Sequence, residues 1–108
     1  MKMFDNYRIM KTMFPSRLRV SEWHVEALRS LAHHTRLQIF FLLARKKGEV
    51  PAGEIQAELG IPGPTLSHHL DVLRRAGLVQ SRKEERFVYY TTQPASVAEL
   101  VRLLTACC

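Results

Sequence analysis

Behind Ser21, the residues Trp23, Ala27, Leu28 and Leu31 recur at helical steps, which predicts a helix over 21–31 with a hydroxyl side chain at its N-cap. His33, His34 and Thr35 interrupt it. A second helix is expected over about 35–47, burying Leu37, Ile39, Phe40, Leu42 and Leu43, with Gly48 as its stop after a basic last turn. The width of this apolar face places the helix at the centre of the domain. In "PAGEIQAELG", Ile55 and Leu59 lie four apart between Pro51 near the first turn and Gly60 at the end, giving a short third helix. "IPGP" reads as a turn and "TLSHHLDVLRRAG" as a fourth helix over about 64–76, ended by Gly77. Two helices joined by a tight, glycine-containing turn form a helix-turn-helix pattern.

The pattern then changes to β-formers around a charged centre. Leu78 and Val79 precede "SRKEER", and Phe87, Val88, Tyr89 and Tyr90 follow it, as in a hairpin with a charged tip. Pro94 opens a last helix whose Val97, Leu100, Val101 and Leu104 lie on one side and lead to Cys107 and Cys108. The order α-α-α-α-β-β-α, with a hairpin just after the helix-turn-helix, is that of a winged helix-turn-helix: mainly α with a β-hairpin wing. Residues 1–20 carry four methionines and scattered basic residues without clear period, and Pro15 would break a continuous helix. They read as a basic N-terminal arm without regular structure, or as an arm that touches DNA or a partner subunit. Met10 or Met13 is an alternative start. The expected domain is 21–108.

With 108 residues and 46% hydrophobic composition, the chain has room for one core. A core of this size is supplemented by self-association, so a homodimer is expected. The net charge of +6 favours a polyanion without choosing between DNA, RNA and an anionic membrane. The apolar run 37–44 is far short of the roughly 20 residues of a membrane span. Two cysteines are too few for a disulfide scaffold and no signal-peptide pattern is visible, so a cytoplasmic location with reduced thiols is expected.

"LRSLAHHTRLQIFFLL", "GEIQAELGIPGPTLSHHLDVLRRAGLV" and "RFVYYTT" resemble consecutive blocks of the bacterial ArsR/SmtB family, covering roughly residues 28–92 in order. The resemblance implies a dimeric, winged-helix repressor that binds operator DNA and answers to a metal or metalloid.

A 100° step per residue, with Leu66 inward, brings His69, Leu70 and Leu73 to the same side and sends His68, Asp71 and Arg75 to the other. Thr65, Ser67 and His68 then occupy the first turns of the fourth helix, where a recognition helix meets base edges. The family resemblance points to the same positions. The plainer alternative is that Thr65 caps the helix and Ser67 is ordinary surface. Arg74 and Arg75 read equally as DNA contacts or as solvated charges favoured by a helix C-terminus. Arg82, Lys83 and Arg86 outnumber Glu84 and Glu85 at the wing tip and are expected to contact phosphate.

His24, His33 and His34 lack Cys or carboxylate partners at metal-ligand spacing. Family members that sense zinc or nickel place His and carboxylates along the last helix, where "PASVAELVRLLTA" has only Glu99. Those that sense arsenic beside the DNA-reading unit carry Cys-x-Cys in the third helix, and "PAGEIQAELG" has none.

Cys107 and Cys108 remain. Adjacent Cα atoms are about 3.8 Å apart, below the usual disulfide range, so a bridge between them would be strained and easily reduced. Two thiolates at a helix end suit one soft, thiophilic centre, and As(III) or Sb(III) fits that chemistry. The resemblance adds an arsenic-responsive subgroup that ends its last helix in a vicinal Cys pair, often with a third Cys that this sequence lacks. Thiol oxidation, or a tail with no ligand, is the competing reading. No constitutive cofactor is expected. A thiol-dependent enzyme is disfavoured, since no base, resolving Cys or phosphate loop accompanies the pair. A ligand-independent DNA binder stays open.

Overall fold

The computed structural model describes residues 19–106. Ser21 caps α1 (Glu22–Leu31) reciprocally: its side chain accepts from the His24 backbone N–H, and its own N–H donates to His24 Nδ1 over 2.8 Å. Helix α2 (His34–Arg45) follows with His33 at its N-cap. Next come β1 (Val50–Pro51), α3 (Ala52–Leu59), α4 (Gly63–Arg75), β2 (Val79–Glu84), β3 (Phe87–Thr92) and α5 (Pro94–Leu104). Gly60 ends α3 at φ +65°, a left-handed position that glycine occupies without steric cost.

Strands β2 and β3 form the expected hairpin, in register from Val79↔Thr92 to Glu84↔Phe87. Only Glu85 and Arg86 lie between them, so "SRKEER" is mostly strand and the turn is narrower than the sequence pattern indicates. The sheet has a third member: β1 pairs with β3 through Val50↔Tyr90 and Pro51↔Tyr89. A two-residue strand is too short to show alternation, and a proline at its end hides it further.

The core joins Ile39, Leu42 and Leu43 of α2 to Ile55 of α3, Leu66, Leu70 and Leu73 of α4, and Leu78 and Val79 at the root of the wing. Ala27 and Leu100 bring α1 and α5 onto it. The expected burial of Leu37 is not found: it is 50% exposed, and Phe41 is 61% exposed. The stripe that meets the core is Ile39, Leu42 and Leu43, and α2 carries more apolar surface than its neighbours cover. Likewise Leu28 of α1, and Val101 and Leu104 of α5, face outward. No helix among the described residues is long and apolar enough to cross a membrane.

Candidate nucleic-acid interface

Helix α4 is anchored on its inner face by buried Leu66, His69, Leu70 and Leu73, the four positions that the 100° step sends inward. Thr65, Ser67 and His68 are exposed on its first turns. Pro62 is the N-cap and makes no side-chain cap bond, so Thr65 is the third helical residue and not the cap. The first intrahelical bond is that of the Leu66 N–H to the Pro62 carbonyl at 2.9 Å. The amides of Gly63 and Thr65 therefore point out of the helix start, where an anion is favoured. These three side chains and two amides form one polar end on a helix held rigidly from behind.

At the other end of α4, both arginines are engaged by one carboxylate. Arg74 reaches Asp71 Oδ1 at 2.6 Å and Arg75 reaches Asp71 Oδ2 at 2.9 Å. These guanidiniums hold the Asp71 carboxyl below its ordinary range, against a smaller opposing effect of burial.

The wing is less basic than its own residues imply. Arg82 Nε lies 2.9 Å from Glu49 Oε2, Nη2 lies 2.8 Å from Glu49 Oε1, and Nη1 lies 2.8 Å from Glu84 Oε1. Its guanidinium also sits 5.0 Å from the Tyr89 ring centroid. Two carboxylates raise its already high pKa, and the same hydrogen bonds lower that of Glu49. Lys83 makes no ion pair among the described residues, and the Arg86 guanidinium rests 5.7 Å from the Phe87 ring centroid. Among the described residues no carboxylate pairs with Lys83 or Arg86, whereas Arg82 is held by Glu49 from outside the hairpin and by Glu84 within it.

Residues that the pattern did not single out tie this surface to the rest of the domain. Arg36 Nε donates to the Ser30 carbonyl at 2.7 Å, and its Nη1 lies 3.1 Å from His69 Nδ1. Trp23 Nε1 donates to the Ala76 carbonyl, the C-cap of α4, at 2.8 Å. His24 and Glu99, both buried, join α1 to α5 through Nε2 and Oε2 at 3.0 Å. Because His24 Nδ1 accepts from Ser21, Nε2 carries the hydrogen that Glu99 receives. Glu99 also pairs with Arg102. Isolated polar residues in apolar helical stripes were the available signal, but separations of 53 and 75 residues concealed the partners.

Among the described residues no group of three or more His, Cys, Asp or Glu is arranged to hold a metal. Cys107 and Cys108, the predicted inducer ligands, and nearly all of the N-terminal arm lie outside the described residues.

Residues 31–82 match a helix-turn-helix domain family. The chain is 42% identical over 79 residues to the biofilm growth-associated repressor of Agrobacterium fabrum; the match covers 73% of this chain and 66% of that protein. A crystal structure named "Possible transcriptional regulator for arsenical resistance" superposes with a TM-score of 0.65 at 35% identity, covering 73% of this chain and 80% of the other. The homodimeric winged helix-turn-helix domain Mb0332 of Mycobacterium bovis, named "a possible ArsR-family transcriptional regulator", gives 0.65 at 34% identity, covering 77% of this chain and 75% of that one. The fold, a helix-turn-helix with a three-stranded wing, is that of a transcription regulator and not of an enzyme. The chain belongs to the ArsR/SmtB family.

Proposed function

We propose that the protein is a homodimeric repressor that works in the cytoplasm, reads operator DNA through Thr65, Ser67 and His68, and is released by As(III) or Sb(III) at Cys107 and Cys108. The observation that carries the DNA reading is the exposed polar start of α4, backed by a full apolar face and flanked by a basic wing. Val25 and Leu28 of α1 and Val101 and Leu104 of α5 are exposed apolar residues on two helices joined by the His24–Glu99 bond, and they supply the surface for the second subunit. Arg74 and Arg75 contribute to the positive field on their side of α4, Lys83 and Arg86 reach phosphate, and Arg82 joins them when DNA displaces a carboxylate.

Induction follows a physical path. In the sequence the cysteines follow α5 after Thr105 and Ala106; Glu99 of α5 holds His24 of α1; and the neighbouring Trp23 holds the C-cap carbonyl of α4. Ordering the end of α5 around a soft ion changes the purchase of α5 on α1, and through Trp23 the pose of α4. The name of one structural relative, "Possible transcriptional regulator for arsenical resistance", supports the choice of ion.

Fluorescence anisotropy on the DNA upstream of its own gene tests this reading. Arsenite or antimonite should release the parent protein and leave the Cys107→Ser/Cys108→Ser protein bound, with zinc having little effect on either. Release of the double-serine protein at the parent's arsenite concentration would place the sensor elsewhere. Release of the parent by peroxide but not by arsenite would make the pair a redox switch.

A further inference from the structure

Three imidazoles and a guanidinium meet where the start of α2 reaches α4. The His69 ring centroid lies 4.7 Å from that of His33 and 5.6 Å from that of His68, and His69 is only 7% exposed. Arginine has no acceptor, so in the 3.1 Å contact with Arg36 Nη1 the His69 Nδ1 atom accepts and the ring hydrogen sits on Nε2. His69 is neutral in this arrangement. The same guanidinium donates through Nε to the Ser30 carbonyl near the end of α1. One side chain of α2 thus fastens α1 to the position next to His68 on α4.

We propose that Arg36 and His69 are positioning residues for the DNA-reading helix, and that their hydrogen bond is a proton-sensitive latch. A proton added at Nδ1 turns the acceptor into a donor, sets a second cation against Arg36, and breaks this tie between α4 and the α1–α2 scaffold, leaving the apolar packing and the Trp23 bond in place. The inference rests on the assignment of α4 as the DNA-reading helix.

Among the described residues, the groups around the ring offer nothing to balance an added charge. Arg36 comes from α2, His33 from its N-cap, and His68 from α4 itself. From α1 comes the Ser30 carbonyl, which is occupied by Arg36; Glu26 of α1 is paired with Arg29 at 2.7 Å. Those two, with Arg75 of α4, line the open cavity beside Arg36. Burial, followed by His33, Arg36 and His68, holds the His69 pKa below the ordinary histidine value. The latch is therefore closed at neutral pH and opens below the pH at which an ordinary histidine titrates. Lower pH also raises the overall positive charge of the protein, which favours any DNA. Affinity alone mixes the two effects, whereas the ratio of operator to random-DNA affinity isolates the latch.

The experiment measures that ratio at constant salt from pH 8.0 to 5.5 for the parent, His69→Asn and Arg36→Met. Asparagine offers Arg36 an acceptor near the Nδ1 position and does not titrate. The parent's ratio should fall about tenfold across the range, equivalent to about 1.4 kcal/mol of coupling. His69→Asn should hold a high, flat ratio, and Arg36→Met a low, flat one. A flat ratio in the parent, or an equal fall in His69→Asn, overturns the latch. NMR of the parent's His69 ring gives a reading that needs no variant: the Nε2–H tautomer at pH 7.5, with Arg36 Nε–H shifting as His69 titrates, supports the latch, and an Nδ1–H tautomer refutes it. A parent that shows no sequence preference at pH 8.0 instead refutes the assignment of α4, and the NMR result then decides the hydrogen bond by itself.

Discussion

Trp23 serves two helices at once: its ring packs against the core, and its Nε1–H satisfies the Ala76 carbonyl where α4 ends. The chain leaves α4 through Gly77 at φ +81°, where an added Cβ would stand 3.3 Å from Trp23 Nε1. Trp23→Phe should cost about 1–2 kcal/mol, because the carbonyl loses its donor while most of the apolar packing remains. Gly77→Ala should cost about 1–3 kcal/mol from the left-handed backbone and the close approach together. Urea unfolding measures both. His69 adds a dependence on pH. Its folded-state pKa lies below the ordinary value, so as pH falls through about 6.5 the unfolded chain takes the proton first. Stability is complete above that pH and declines below it until folded His69 also protonates. The parent should therefore lose more stability than His69→Asn between pH 7.5 and 5.5, and matching losses would contradict this. The inward turn of His69 was legible from helical periodicity. Its partner was not, because a pattern along one helix says nothing of which guanidinium arrives from another.

Helix α2 separates what patterning reveals from what it leaves open. Its apolar residues announce a helix, yet Ile39 is fully buried and Leu37 is half exposed. Ile39→Ala should destabilise by about 2–5 kcal/mol, and Leu37→Ala should stay within about 0.5 kcal/mol in the isolated subunit. Periodicity defines a face; the neighbours decide how much of it they cover. The wing teaches the same lesson in charge. Counting "SRKEER" gives a basic tip, but the carboxylate that most strongly holds Arg82 comes from Glu49, before β1 and 33 residues away. Glu49→Gln should leave Arg82 held by Glu84 alone and so more available to phosphate, raising affinity for operator and random DNA alike and steepening the salt dependence by up to about one unit of slope. Lys83→Gln should flatten it by a similar amount. Ser67→Ala and His68→Ala should reduce operator affinity by about 1–3 kcal/mol more than random-DNA affinity, and equal losses on both would place base readout elsewhere.

Across the whole molecule, the order of helices and the hairpin were readable because each long element repeats its period several times. Strand β1 was not, since two residues hold no period, and its pairing with β3 depends on a distant segment. The apolar residues outside the core, Val25 and Leu28 on α1 with Val101 and Leu104 on α5, mark where the subunit is unfinished. Val101→Asp with Leu104→Asp should yield a folded monomer by sedimentation, with operator affinity falling by far more than its random-DNA affinity, because two half-sites would no longer be bound together. The ion pair between Glu49 and Arg82 has a further consequence. It places control of the wing's charge on a surface loop that belongs neither to α4 nor to the hairpin. Under the proposed function, drift at position 49 would retune how firmly the protein holds DNA, while positions 65, 67 and 68 would keep the choice of sequence. Grip and preference would then lie on separate residues, and a lineage could adjust the occupancy of an operator without relearning which operator to occupy.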